Sequence, residues 1–184
     1  MEKYLIEHCS PTLASLKTAN LFNYIFTSEE ELYGYLHSLN RKLSPKGVSV
    51  TILRKGQKSA LIYVYREKKL AEDLAKPGVR DFLAKEGYDA EAMTPLAAIR
   101  FLRHRFASQT GFPHEIGLFL GYPLGDVIGF IENAGRHSKC SGCWKVYCNE
   151  CEAIRLFNKF DKCRTVYKRL FCEGKTVVQL TVAA

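Results

Sequence analysis

The chain has 184 residues, of which 47% are hydrophobic and 25% charged, with a formal net charge of +8. That length is one domain by size and suffices to bury a core without disulfides or metal, and the composition excludes a disordered chain. The longest apolar run, Ile116 to Ile131, is broken by Tyr122-Pro123 and Asp126, which excludes a membrane span of about 20 apolar residues.

The opening residues, Met1 to Cys9, hold two acids and too short an apolar stretch for an export signal. A cytoplasmic protein is therefore expected, with its seven cysteines as free thiols or metal ligands. Ser10-Pro11 reads as a helix start, serine as cap and proline at the first helical position, for a helix reaching Ile25. Ser28 and Glu31 form a capping-box pair for the next helix, which ends before the turn cluster Ser44-Pro45-Lys46-Gly47. Val48 to Leu53 and Ala60 to Tyr65 are alternating, β-branched and aromatic runs joined by Lys55 to Lys58, an antiparallel hairpin. Short helices follow from Lys68 and break at Pro77-Gly78. Thr94-Pro95 opens a longer one, with Leu96, Ile99, Leu102 and Phe106 inward and Arg100 and Arg103 outward. Phe112 to Asn133 reads as two helices joined at Gly121-Tyr122-Pro123, Cys143 to Cys148 as a strand, and Asn149 caps a last long helix to Cys172. The apolar stripe of that helix is Ala153, Phe157, Phe160, Tyr167 and Phe171, with Arg155, Lys159, Lys162 and Arg169 opposite. Together these elements predict an α+β fold over 1–184. Its small antiparallel sheet comes from the hairpin 48–66 and the strand near 143–148, with 4–7 as a candidate further strand, under six or seven helices.

Three segments carry a resemblance: His8-Cys9-Ser10-Pro11-Thr12-Leu13, then Phe112 through Pro123, and Cys140-Ser141-Gly142-Cys143-Trp144-Lys145-Val146-Tyr147. With them the chain resembles, over nearly its whole length, a family of bacterial proteins defined as a domain of unknown function. The resemblance implies a bacterial cytoplasmic origin and no particular activity. It also implies that Cys140 and Cys143 belong to the family pattern, whereas Cys148 and Cys151 are particular to this chain.

The densest chemistry is Cys140-x2-Cys143-x4-Cys148-x2-Cys151. A two-residue gap lets paired thiolates reach one ion, so the cluster points to zinc, or to an iron–sulfur site from Cys143-x4-Cys148-x2-Cys151 completed by Cys163 or Cys172. A dithiol redox pair and a set of buried small hydrophobes are the alternatives. A second candidate is Cys9, placed by this reading just before a helix start, where the dipole favours thiolate. His114 would be its base and Glu115 would orient His114. Glu115 to Glu132 also matches helix-turn-helix offsets at Gly117, Gly121 and Val127. Its outward residues would be Gly125, Asp126, Gly129 and Glu132, with no arginine or lysine for a base edge, so packed helices are the better reading.

Between Arg136 and Lys175 ten Lys or Arg residues face four acids, which favours an acidic partner on the last helix. A flavodoxin-like redox carrier suits that surface, and RNA stacked on Trp144 and Tyr147 is the less favoured alternative. Tyr63, Tyr65 and Arg66 on the hairpin are further pocket candidates, though alternating aromatics usually pack.

Overall fold

In the sequence Ser59-Ala60-Leu61-Ile62-Tyr63-Val64-Tyr65-Arg66 every residue after the first is buried, and this strand (β3, Ser59–Arg66) decides the architecture. A strand sends alternate side chains to opposite faces, so burial on both requires a layer on each side. Leu61, Tyr63 and Tyr65 enter one core, and Ala60, Ile62 and Val64 enter the other. The computed structural model describes residues 1–108 and 111–183. Among them β3 is the middle of a three-stranded antiparallel sheet, between β1 (Ala19–Ile25) and β2 (Val48–Lys55). The expected hairpin is present, with a bulge between Ile52 and Arg54. Ile52 and Leu53, successive residues of β2, enter opposite cores.

One face is covered by α1 (Glu2–Leu13), α2 (Glu29–Leu43) and the end of α8 (Glu150–Cys172), with the short α9 (Val177–Leu180). On the other lie α3 (Glu67–Leu74), α4 (Val79–Lys85), α5 (Pro95–Ser108), α6 (Ile116–Phe119) and α7 (Leu124–Glu132). The fold is α+β, as the sequence indicates, with nine α-helices among the described residues. No helix among them is long and apolar enough to cross a membrane.

The N-terminal third corrects two expectations. Residues 4–7 are helical, and the helix expected over Ser10 to Ile25 is replaced by the end of α1, a turn and strand β1. Leu5, Ile6 and Cys9 ahead of Pro11 and Leu13 beyond it recur at helical spacing and bury completely or nearly so, which drives the helix on through the proline. Pro11 lies in the last turn, where its missing N–H removes a single bond, to the carbonyl of Glu7. Beyond it, Phe22, Tyr24 and Phe26 alternate into the same core, the period of a strand.

Local chemistry ends the elements as expected in two places. Ser28 accepts from the Glu31 amide at 3.1 Å, although the Glu31 carboxylate turns to Thr27 instead of closing the box. Asn149 accepts from the Glu152 amide at 3.3 Å. Leu96, expected inward, is exposed, whereas Ile99, Leu102 and Phe106 are buried. The cysteine segment also departs from expectation. It forms a separate two-stranded hairpin, β4 (Cys140–Ser141) with β5 (Lys145–Val146), and does not join the main sheet.

A single buried cation ties the ends of the chain together. Arg66, 2% exposed, donates to the carbonyls of Thr12 at 2.7 Å, Leu13 at 2.8 Å, Val182 at 2.7 Å and Lys46 at 3.2 Å. Tyr63 and Tyr65 are stacked core residues, and the Tyr63 hydroxyl donates to the Phe119 carbonyl at 2.6 Å.

Candidate functional site

Beside β1, an edge strand, four parts of the chain meet. They are the end of α1 with its following turn, the α6–α7 turn, the cysteine hairpin and the middle of α8. The turn after α1 is set by Ser15, whose φ of 59° lies in the left-handed region, a conformation that costs a non-glycine residue about 1–2 kcal/mol. It folds the chain back so that the Leu16 and Lys17 amides donate to the Pro11 carbonyl at 2.9 and 3.1 Å. Lys17 is thereby held in the interior, 7% exposed.

The Lys17 ammonium meets the face of the Tyr122 ring at 5.0 Å. Among the described residues it has no hydrogen-bond or ion-pair partner. Burial pulls its pKa down to about 8, with Arg164 pulling the same way and thiolate character at Cys143 or Cys9 opposing. Holding an ammonium in the interior without a charged partner is costly.

The hollow around it has a volume of about 330 Å³. His8, Asn20, Cys143 and Arg164 line it with Lys17, and Glu7 supplies its one carboxylate. The Arg164 Nη2 donates to the Cys143 sulfur at 3.4 Å, and its Nη1 pairs with Asp161. Tyr122 donates to the Cys143 carbonyl at 3.1 Å, fixing the hairpin turn. Across Leu21, Leu120 and Tyr122 this hollow adjoins a larger one of about 510 Å³, walled by Phe112, His114, Phe130 and Trp144. Trp144 stacks on Tyr122, with ring centroids 4.7 Å apart.

Asp126 positions the hairpin. It is 3% exposed, on α7, and accepts from Trp144 Nε1 at 2.8 Å, the Tyr147 amide at 2.7 Å and the Cys148 amide at 2.8 Å. Gly125 and Gly129, one turn apart on α7, let Cys148 and Tyr147 come close. A methyl group at 129 would lie 2.5 Å from the Tyr147 ring. Asp126 and Gly129, outward in a helix-turn-helix arrangement, thus face inward and hold the hairpin.

The thiols of the cluster sort by surroundings. Cys140 is pushed up by burial and by the Glu150 and Asp126 carboxylates, and Cys148 by burial and Asp126. Cys151 is exposed on the first turn of α8. Lys139 acts on Cys148 in the opposite sense, and Cys143 is the member whose sulfur accepts from an arginine, Arg164. Among the described residues no three or more His, Cys, Asp or Glu side chains are grouped so as to hold a metal ion.

The residues assigned to a Cys9 site are not brought together either. Cys9 lies in the third turn of α1 and not ahead of a helix, fully buried, and burial drives its thiol well above the usual range. His114 is exposed on the larger hollow, near the rings of Phe130 and Phe112. Glu115 orients no histidine: it is buried, ion-paired to Arg105 at 2.6 Å and accepts from Tyr88 at 3.2 Å.

Sequence reasoning missed Lys17, Tyr122 and Arg164. Arg164 had a signal, because it lies four residues after Phe160 and seven after Phe157, within the apolar stripe of α8. A cation in that stripe is a buried cation or a site residue. Lys17 sits in a turn, where no periodicity marks it.

A family model described as "Protein of unknown function (DUF3793)" matches residues 5–181. The chain belongs to the DUF3793 family. No curated protein and no solved structure matches it. In this DUF3793 protein the hollow draws on all three segments that carried the resemblance: His8 from the first, Leu120 and Tyr122 from the second, and Cys143 from the third.

Proposed function

We propose that this is a thiol-active protein in which Cys143 is the reactive group and Lys17 with Arg164 holds an anionic group of the compound it acts on. The observation that carries the reading is the buried Lys17 ammonium without a counter-ion, in the same hollow as the Cys143 sulfur and its arginine. A thiolate is the nucleophilic form of cysteine, and a neighbouring guanidinium favours it by a charge-assisted hydrogen bond. Lys17, with a pKa near 8, keeps its positive charge at neutral pH and supplies the charge that an anionic group would meet. The reading keeps the thiol chemistry expected of the cysteine-rich segment and centres it on one cysteine, with no metal required.

The test compares alkylation by iodoacetate, an anion, with alkylation by neutral iodoacetamide, residue by residue. In a Cys140→Ser background at neutral pH, the iodoacetate-to-iodoacetamide rate ratio at Cys143 is expected to exceed that at exposed Cys151 by about tenfold, worth about 1.4 kcal/mol. Arg164→Gln and Lys17→Met should each bring the ratio back toward that of Cys151. Equal ratios in the unmodified site would refute the assignment.

A second reading, docking of an acidic redox protein on α8, is supported by the exposure of Arg155, Lys159, Lys162 and Arg169 along one face. Its affinity would fall steeply as salt rises, since exposed charges are screened beyond about 8 Å at physiological ionic strength.

A further inference from the structure

The polar hollow is small for a ligand on its own, and its neighbour is of opposite character. Around Lys17 and Arg164 the site offers positive charge and hydrogen-bond donors. Beyond Tyr122, the 510 Å³ hollow is walled by rings and aliphatic side chains, and its charged members are occupied elsewhere. Asp126 is committed to three N–H donors, and the Lys145 ammonium to the Gly135 carbonyl. Pockets of about 300–1,000 Å³ with apolar walls and a few fixed polar groups are the usual form of a small-molecule site. Of the residues shared by the two hollows, Tyr122 meets both sides, with Trp144 stacked on its ring and Lys17 over its face.

We infer that the occupant is an amphipathic organic anion: a carboxylate that pairs with Lys17 and Arg164, carried on an apolar body that lies along Trp144, Phe130 and Phe112. This assignment rests on the anion-binding part of the thiol reading and extends it to a class of compound. Burying an apolar chain there gains about 25 cal/mol per Å² removed from water, and the carboxylate gives the Lys17 ammonium the partner it lacks. Neither half of the molecule suffices alone. A short acid leaves the aromatic wall wet, and an alcohol of the same length leaves the ammonium unpaired.

Trp144 is the only tryptophan in the chain, so its emission reports on the site without a label. The experiment titrates the full chain under reducing conditions with octanoate, 1-octanol and acetate, following Trp144 fluorescence and confirming with calorimetry. Octanoate is expected to give a saturable change and to bind at least about tenfold tighter than octanol, or about 1.4 kcal/mol, with acetate silent. Lys17→Met should remove the preference for the acid while leaving octanol binding unchanged, which also shows that the variant is folded. Equal affinities for acid and alcohol, or no response to octanoate by either method, would overturn the assignment. Cys143→Ser separates the two proposals. It should retain octanoate binding, so an unreactive Cys143 with intact binding sinks only the thiol reading, and a reactive Cys143 without binding sinks only this one.

Discussion

Replacing Lys17 by methionine should make the protein more stable at neutral pH. The ammonium is buried in a site that gives it one ring face and no counter-ion, and burial pulls its pKa from the ordinary 10.5 to about 8. Below pH 8 the folded and unfolded chains both carry the proton, and the folded state bears the whole penalty of a desolvated charge. Between pH 8 and 10.5 the unfolded chain binds more protons, so stability rises with pH across that window, and above it the penalty is gone. At about 1.4 kcal/mol per pH unit the gap corresponds to about 3 kcal/mol. Methionine keeps the length and the apolar stem and removes the charge. Urea unfolding of both proteins, followed by Trp144 fluorescence in reducing buffer, should place Lys17→Met about 2–3 kcal/mol above wild type at pH 7, with the difference falling below about 1 kcal/mol near pH 10.5. A difference that does not change with pH, or a variant less stable than wild type at pH 7, would refute the account of Lys17 as an unpaired buried ammonium.

Asp126→Asn should loosen the cysteine hairpin. An amide turns one acceptor into a donor against the N–H groups of Trp144, Tyr147 and Cys148, so a loss of about 2 kcal/mol in urea and faster hydrogen exchange at the Tyr147 and Cys148 amides are expected; unchanged exchange would count against the anchor. Arg66→Met should cost about 4 kcal/mol or more, because carbonyls of Thr12, Leu13, Lys46 and Val182 lose a charged donor together, and a urea midpoint within experimental error of wild type would contradict it. Gly129→Ala should destabilise by about 1–3 kcal/mol through contact with the Tyr147 ring, visible as a lowered melting temperature, whereas Gly34→Ala on α2, with open space around it, should not. The double change Cys148→Ser and Cys151→Ser should leave the alkylation rate of Cys143 within about twofold, since neither is the thiol that Arg164 donates to; a larger change would favour a site shared by the four cysteines.

How far the sequence could be read depended on whether an element declares its own period. The hairpin 48–66, the capped α2 and α8, and the break at Pro77-Gly78 carry local signals, and each is where the pattern puts it. The N-terminal third misled because Ser10-Pro11 is a good helix start in isolation, while the decisive fact is the burial of Leu5, Ile6, Cys9 and Leu13 against a sheet formed with distant strands. The cysteine segment misled for the opposite reason: its residues read as a strand of the main sheet, and only the grip of Asp126 on Trp144, Tyr147 and Cys148 discloses why it stands apart as a hairpin of its own. The site itself was half legible. Cys143 stood out by residue type, but Lys17 and Arg164 gain their meaning from a turn with left-handed Ser15 and from a cation set within an apolar stripe.

These parts share one physical logic. A protein selected for stability alone would have no reason to hold a lysine at 7% exposure beside an arginine, with repulsion and desolvation both acting against it. The same arrangement favours an anion in the hollow, because it supplies the partner that the Lys17 ammonium lacks. Binding and the field at the Cys143 sulfur are then linked. An anion seated on Lys17 returns its pKa toward the ordinary value and withdraws part of the positive field from the Cys143 sulfur. Saturating octanoate should therefore slow iodoacetamide labelling of Cys143 while leaving Cys151 unchanged, and in Lys17→Met that protection should disappear. Equal protection in the variant would mean that octanoate merely blocks access, and the electrostatic coupling between the two hollows would have to be abandoned.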